Sequence, residues 1–322
     1  MAVYTPVSFD EASLLLQRLQ LGQLQSMEGC SGGIENTNYF VTTDSGAYVL
    51  TLFERLNAEQ LPFYLRLMKH LATAGVPVPE PAADTNGALM YSVSGKPATV
   101  VNRLRGKSEL SPQPLHCASV GAWLAKMHLV GQSFDLQQPN LRGLKWWSDT
   151  VPVILPFLDE SQQILIQGEL AYQKHVAESS VNAAVPRGAI HADLFRDNVM
   201  FAPALPDDGN TLEMTGFFDF YFAGIDAWVF DLAVCLNDWC VDLTTGAPDP
   251  ARTQAFVGAY EAVRALTAAE RKALPAMLRA AALRFWISRL WDLHLPREAS
   301  VLTAHDPTHF ERVLRQRLRF AA

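Results

Sequence analysis

Apolar positions change their period along this chain, and the change divides it in two. Near the N-terminus, Leu14, Leu15 and Leu19 share one face of a helix expected over 11–21, with Asp10 able to cap it. Two alternating stretches follow, "TNYFVTT" and "AYVLTLF", separated by the turn "DSG", and read as paired strands. Residues 59–73 return to a helical period, and the prolines of "AGVPVPEP" stop that helix. "ALMYSV" and "PATVVNRL" are again strand-like. From residue 112 onward the texture is helical, with Leu115, Val120, Leu124, Met127 and His128 on one stripe. Further helices are expected over 159–181, 250–266, 268–294 and 308–320. "VMFAP", the turn "PDDGN" and "EMTGFFDF" interrupt them as strand, turn and strand. "TAAE" at 267–270 matches a capping box, and Asp249-Pro250 reads as a cap followed by proline at the first helical position. The expected fold is therefore α+β: a small sheet-plus-helix part over 1–103, then a larger, mainly helical part over 104–322.

Composition sharpens this picture by exclusion. At 322 residues and 49% hydrophobic, the chain is long enough for more than one core. A net charge of −7 argues against a general nucleic-acid or anionic-membrane surface, which needs a positive field. Cys30, Cys117, Cys235 and Cys240 form no CxxC pair and read as buried thiols of a reducing compartment rather than a zinc site. The first residues lack the basic and apolar regions of a signal peptide, and no charge-free apolar run approaches the length of about 18 residues that a spanning helix needs. A cytoplasmic location is the expectation.

The stretch "HADLFRDNVMF" packs His191, Asp193, Arg196, Asp197 and Asn198 between apolar flanks. A polar turn would explain it, since Asp and Asn cluster in turns. Its spacing also fits H-x-D-L-x-x-x-N without a gap, the pattern of a phosphoryl-transfer loop. There the aspartate accepts the proton of an attacking hydroxyl and the asparagine holds magnesium. Asp219 lies 21 residues beyond Asn198, flanked by Phe217, Phe218, Phe220, Tyr221 and Phe222. A carboxylate in such surroundings costs several kcal/mol unless it is paired or metal-bound. It stands where the pattern puts the aspartate of D-F-G. Asp231 in "FDLA" reads as structural, accepting hydrogen bonds from the loop backbone, with His191 structural beside it.

With these motifs in hand, the chain resembles the aminoglycoside phosphotransferase–choline kinase superfamily, small-molecule kinases on the protein-kinase fold. Within it the likeness is to the second type of homoserine kinase. It is carried by "GGIENTNYFVTTDSGAYVLTLFE", "GVPVP", "RGLKWW", "PRGAIHADLFRDNVMF", "DFYFAGIDAW" and "FDLAVCLNDWC", in order over residues 32–240. The resemblance implies a two-lobed protein-kinase-like fold, Asp193 as catalytic base, and Asn198 and Asp219 holding Mg2+. It also implies ATP phosphates covered by the loop containing Gly32, Gly33, Asn36 and Asn38. Two departures stand out. Thr51 occupies the place of the phosphate-binding lysine, and the next helix offers only Glu59, at its start, as the partner such a lysine would use. Arg55, Lys69 and Lys96 are the candidate replacements. Ala192 and Tyr221 depart from the protein-kinase pattern and argue against a protein substrate.

The resemblance further implies ATP-dependent phosphorylation of the L-homoserine hydroxyl to O-phospho-L-homoserine, in threonine biosynthesis. Such a substrate needs an acid for its ammonium and a base for its carboxylate. Asp226 and Asp238 are candidates for the first, Arg284 and Arg289 for the second. Arg289 and Asp292 equally suit a surface ion pair, Trp146 and Trp147 suit either a pocket or a core, and His128 suits the core. Another small hydroxyl acceptor (choline, ethanolamine, an aminoglycoside or a sugar) and an inactive nucleotide-binding pseudokinase are the competing readings.

Overall fold

The computed structural model describes residues 4–30, 36–204, 212–295 and 306–319. The chain divides into two compact units: Met1–Gly106 with Thr215–Phe218, and Lys107–Met214 with Asp219–Ala322.

The first unit is a five-stranded antiparallel sheet with two helices. Its elements are α1 (Phe9–Arg18), β1 (Leu24–Gly29), β2 (Asn36–Thr43), β3 (Ala47–Phe53), α2 (Leu61–Thr73), β4 (Tyr91–Val93) and β5 (Lys96–Asn102). The strand order is β1-β2-β3-β5-β4. Helix α1 starts two residues before the expected position, because Ser8 rather than Asp10 caps it, its hydroxyl accepting from the Glu11 amide at 3.2 Å. Strand alternation then sorts the faces. Tyr39, Val41, Leu50, Leu52, Ala98 and Val100 share a core with Ala12, Leu15 and Leu16 of α1 and with Leu19 at its C-cap. Each such aliphatic side chain withdrawn from water contributes roughly 1.5–3 kcal/mol. Asn38, Thr51 and Thr99 stand opposite one another in register on the other face. The β4–β5 hairpin turns on Ser94 and Gly95, both with positive φ (48° and 74°), the two-residue turn whose twist suits a hairpin.

The second unit is mainly helical: α3 (Pro114–Val130), α4 (Leu144–Ile154), α5 (Glu160–Ala177), α6 (Ser180–Ala183), α7 (Trp228–Trp239), α8 (Pro250–Val263), α9 (Ala268–His294) and α10 (Thr308–Arg319). Short strands β6 (Arg187–Ile190), β7 (Val199–Ala202), β8 (Glu213–Phe217) and β9 (Gly224–Ala227) come between α6 and α7 in the chain; residues 215–217 of β8 belong to the first unit, and β6 pairs antiparallel with β9. Both expected caps are formed: Asp249 accepts from the Arg252 amide, and Thr267 with Glu270 closes a capping box. Every residue of α7 is buried, its Asp231, Asn237 and Asp238 included. It packs on α9, whose Ala280, Ala281 and Ala282 are buried. Helices α3 and α8 meet at Gly121, where a Cβ would stand 2.3 Å from the Phe256 carbonyl oxygen, so no larger residue fits. Cys117, Cys235 and Cys240 are buried free thiols, and Cys30 is half-buried.

The α+β class expected from the pattern is the class observed, a sheet-bearing N-terminal part and a helical C-terminal part. No helix among the described residues is long and apolar enough to cross a membrane. The expected turn at 206–210 and the glycines Gly32 and Gly33 lie outside the described residues.

Candidate active site

The loop that leaves β6 is built around a left-handed residue. Ala192 has φ 65°, uncommon for a side chain with a Cβ. The turn is held by Asp231 of α7, whose two carboxylate oxygens accept from the amides of His191 and Ala192, each at 2.8 Å. His128 of α3 meets the same carboxylate at 3.1 Å through Nε2, while its Nδ1 meets the Tyr260 hydroxyl at 2.8 Å. Both His128 and Asp231 are fully buried. Burial alone would raise the Asp231 pKa, but the hydrogen bond and charge of His128, together with His191, outweigh it and hold the group below its ordinary value. Burial lowers His128 in turn, against the pull of Asp231.

Asp193 follows, with its amide 3.3 Å from the His191 ring Nδ1. Its carboxyl is raised well above the ordinary range, first by desolvation and then by the charges of Asp219, Asp197 and Asp238, against which Arg284 acts to lower it. Arg284 comes from α9 and is almost wholly buried, its guanidinium 5.0 Å from the Phe222 ring and 4.0 Å from that of Phe285. The Asn198 amide nitrogen donates to the Asp193 carbonyl oxygen at 2.9 Å, tying the two ends of the loop together. That bond uses the nitrogen and leaves the side-chain carbonyl oxygen as an acceptor.

Asp219 also sits in the left-handed region, at φ 69° and ψ 60°, just before the short 3-10 turn Phe220–Phe222. Burial first, and the Asp219 charge second, raise the Tyr221 hydroxyl, which stays protonated. Phe220 packs its ring 4.5 Å from that of His191. The Asp219 charge raises Asp193, and a carboxylate with an amide oxygen makes a donor set of the kind a hard cation takes. No group of three or more His, Cys, Asp or Glu among the described residues is arranged to hold a metal. That donor set suits Mg2+, which takes one or two carboxylates and completes its shell with water and phosphate oxygens. Asn198 and Asp219 are the residues that could hold it.

The other expected contacts are placed as follows. Arg289 donates to the Asp306 carbonyl oxygen at 3.0 Å and lies 4.4 Å over Phe310. Desolvation lowers its pKa, against the charges of Asp238, Asp306, Asp197 and Asp193. Asp226 is engaged by Arg187 at 2.7 Å and by Asn140 at 2.9 Å. In the first unit, the Thr51 hydroxyl donates to the Asn38 side-chain oxygen at 2.7 Å. Asn36 stands opposite Phe53 on the same strand pair. Of the candidate replacements for lysine, Lys69 is paired with Glu80 at 2.6 Å and Lys96 with Glu54 at 3.1 Å. By strand alternation Lys96 falls on the α1 face of the sheet, opposite to Thr51.

Arg196 and Asp238 were not anticipated as partners. They form a buried ion pair, 3.1 Å from Nε to Oδ2. The signal was present: Asp238 follows Asp231 by seven residues, two helical turns, and would have been placed on the same face had α7 been read as a helix.

The chain is similar to known proteins over nearly its whole length. Residues 26–266 match the model of the phosphotransferase enzyme family, APH. A homoserine kinase of Polaromonas naphthalenivorans (strain CJ2) is 64% identical over 99% of this chain and 98% of its own length. One from Paraburkholderia xenovorans (strain LB400) is 55% identical over 99% and 96%. Among solved structures, an amicoumacin kinase in complex with AMP-PNP, Ca2+ and Ami superposes with a TM-score of 0.67 at 16% identity, covering 97% of this chain and 93% of that one. A choline kinase from Cryptosporidium parvum Iowa II gives 0.63 at 12% identity over 92% and 90%. At these identities the structural likeness speaks for the fold, and the full-length relatives for the lineage. The chain belongs to the phosphotransferase enzyme family, beside these homoserine kinases.

Proposed function

We propose that the chain is a homoserine kinase: it transfers the γ-phosphoryl group of ATP to the hydroxyl of L-homoserine, giving O-phospho-L-homoserine for threonine biosynthesis. The observation that carries the chemistry is one loop that ties Asn198 to Asp193 at 2.9 Å, with the Asp193 carboxyl raised by burial first and Asp219 after it, and opposed by Arg284. The acceptor rests on the full-length relatives.

In this reading Asp193 takes the proton of the attacking hydroxyl as its oxygen bonds to the γ-phosphorus and the bond to the ADP oxygen breaks. A carboxylate whose pKa is raised is the stronger proton acceptor. Asn198 and Asp219 would hold Mg2+, which would neutralise charge on the phosphates. Arg284 faces the substrate carboxylate, with Arg289 adding positive charge on the same helix. Asp226, held by Arg187 and Asn140, is the candidate for the ammonium. Asn36, Asn38, Gly32 and Gly33 belong to the nucleotide side, where Thr51 and Asn38 form a neutral hydrogen-bonded pair in place of a lysine.

The test is ATP consumption with Mg2+ across L-homoserine, L-serine, L-threonine, choline, ethanolamine and kanamycin. Preferential turnover of homoserine is expected. Preferred turnover of another acceptor would overturn the acceptor and leave the loop chemistry standing.

A further inference from the structure

A second carboxylate grips the far half of the catalytic loop. Asp238 stands seven residues after Asp231 on α7, so the two project from one face of the helix. Asp231 takes the amides of His191 and Ala192. Asp238 Oδ2 takes the Arg196 amide at 2.8 Å and the Arg196 Nε at 3.1 Å. Arg196 Nη2 donates to the Asp238 carbonyl oxygen, and Nη1 to the Leu110 carbonyl oxygen at 3.0 Å. Between the two grips, the Trp239 indole donates to the Leu194 carbonyl oxygen at 2.9 Å. One helix thus holds positions 191, 192, 194 and 196, and Asp193 lies between its two carboxylates.

Arg196 and Asp238 are 6% and 8% exposed, and withdrawing such a pair from water costs about as much as the pairing returns. A pair of that kind is poorly explained by stability. What distinguishes this one is its contact with the loop's own main chain, at the amide of residue 196.

We propose that the Arg196–Asp238 pair is a positioning device for phosphoryl transfer, fixing the peptide at 195–196 and so the spacing between Asp193 and Asn198. It rests on the reading of Asp193 as base and Asn198 as metal ligand. Neither Arg196 nor Asp238 touches the reacting atoms in this arrangement; they hold the loop, in addition to the charge that Asp238 sets near Asp193, which is why a charge-conserving variant belongs in the test.

The test is the double variant Arg196→Met/Asp238→Leu, which removes both buried charges together, since a single change leaves the other uncompensated. A sub-ångström to ångström displacement of the base is expected to lower kcat by roughly tenfold to a hundredfold, with KM for homoserine and ATP changed less than about threefold. Hydrogen exchange of the amides of 193–198 should quicken while those of α7 do not. A folded double variant with unaltered kcat, or with unaltered exchange over 193–198, overturns the proposal. If the double variant does not fold, Asp238→Glu carries the test. That variant keeps the charge and moves the carboxylate, so lowered kcat with a near-normal melting temperature is expected, and unaltered kcat and exchange overturn the proposal. Wild-type protein that fails to turn over homoserine would sink the functional reading instead, while loop exchange still decides the clamp.

Discussion

The sheet of the first unit and the loop of the second handle buried polar groups in opposite ways. On the sheet face away from α1, Thr51 and Asn38 satisfy each other as neutral partners, and Thr99 spends its hydroxyl on the Leu89 carbonyl oxygen. Around the loop, His128, His191, Asp193, Arg196, Asp219, Asp231, Asp238 and Arg284 bring charge or titratable rings into a confined volume. A neutral hydrogen bond contributes about 0.5–1.5 kcal/mol, whereas a misplaced buried charge costs several. The contrast teaches that buried charge gathers around the loop of the second unit, while this face of the sheet is satisfied by neutral hydrogen bonds. It also accounts for the absence of both lysine and glutamate partner: removing the pair together leaves no buried charge behind.

Substitutions ordered by expected effect can break that contrast. The largest is Asp193→Asn, which keeps volume and removes the base; kcat should fall by about 10²–10⁴ with ATP binding retained. Loss of less than about tenfold, measured by coupled ATP turnover, would move the proton's destination elsewhere. Next, Asp219→Asn weakens the expected cation site. Turnover should drop by about a hundredfold and recover in part at raised Mg2+, because an added ligand can make up for lost affinity by mass action. A Mg2+ titration whose midpoint does not move would take Asp219 out of that role. Arg284→Met preserves packing against Phe222 and Phe285 while deleting the guanidinium. A charge-assisted hydrogen bond is worth about 1.5–3 kcal/mol, so KM for homoserine should rise roughly ten- to a hundredfold. An unchanged KM would assign the carboxylate to another group.

Smaller effects sharpen the comparison from the other side. Thr51→Val deletes one neutral hydrogen bond, so KM for ATP should shift by no more than about tenfold and kcat should hardly change. A collapse of kcat would show that the first unit does carry essential chemistry. Stability should fall gradually with acidity. The folded pKa values of His128 and Asp231 both lie below their unfolded values, so the unfolded chain binds more protons wherever either titrates, and stability rises with pH there. The His128 part is complete above about pH 6.5 and is lost as pH falls through its lower folded value. The Asp231 part is complete above about pH 3.9 and is lost further below. A thermal midpoint that does not drop when the pH is lowered from about 7 to about 5 would contradict the His128 part.

Particular elements show what was legible. Helix α9 runs over Ala268–His294 as its period and its "TAAE" cap foretold, and β3 over Ala47–Phe53 as its alternation did. Strand β1 was not legible, because "LQSMEG" has no buried alternation to display. Helix α7 was not legible either, since burial on every side removes the polar face that marks a helix in sequence. That omission hid the relation between Asp231 and Asp238, and with it Arg196. For the site, contiguous spacing alone pointed to Asp193 and Asn198 as parts of one loop.

The sequence by itself determined the α+β order, the unbroken H-A-D-L-F-R-D-N run and the isolated Asp219 in an aromatic stretch. These are local facts, set by period, spacing and residue type. Asp231 was expected on the loop backbone and is found there, while only the tertiary structure decided which other distant groups meet: His128 on Asp231, Asp238 on Arg196, Arg284 acting on Asp193, and Lys96 turned to the α1 face with Glu54. Those pairings join residues tens of positions apart. Which carboxylate meets which amide or guanidinium depends on how α3, α7 and α9 pack around the loop, and helix packing is a property of the folded chain that no short stretch contains.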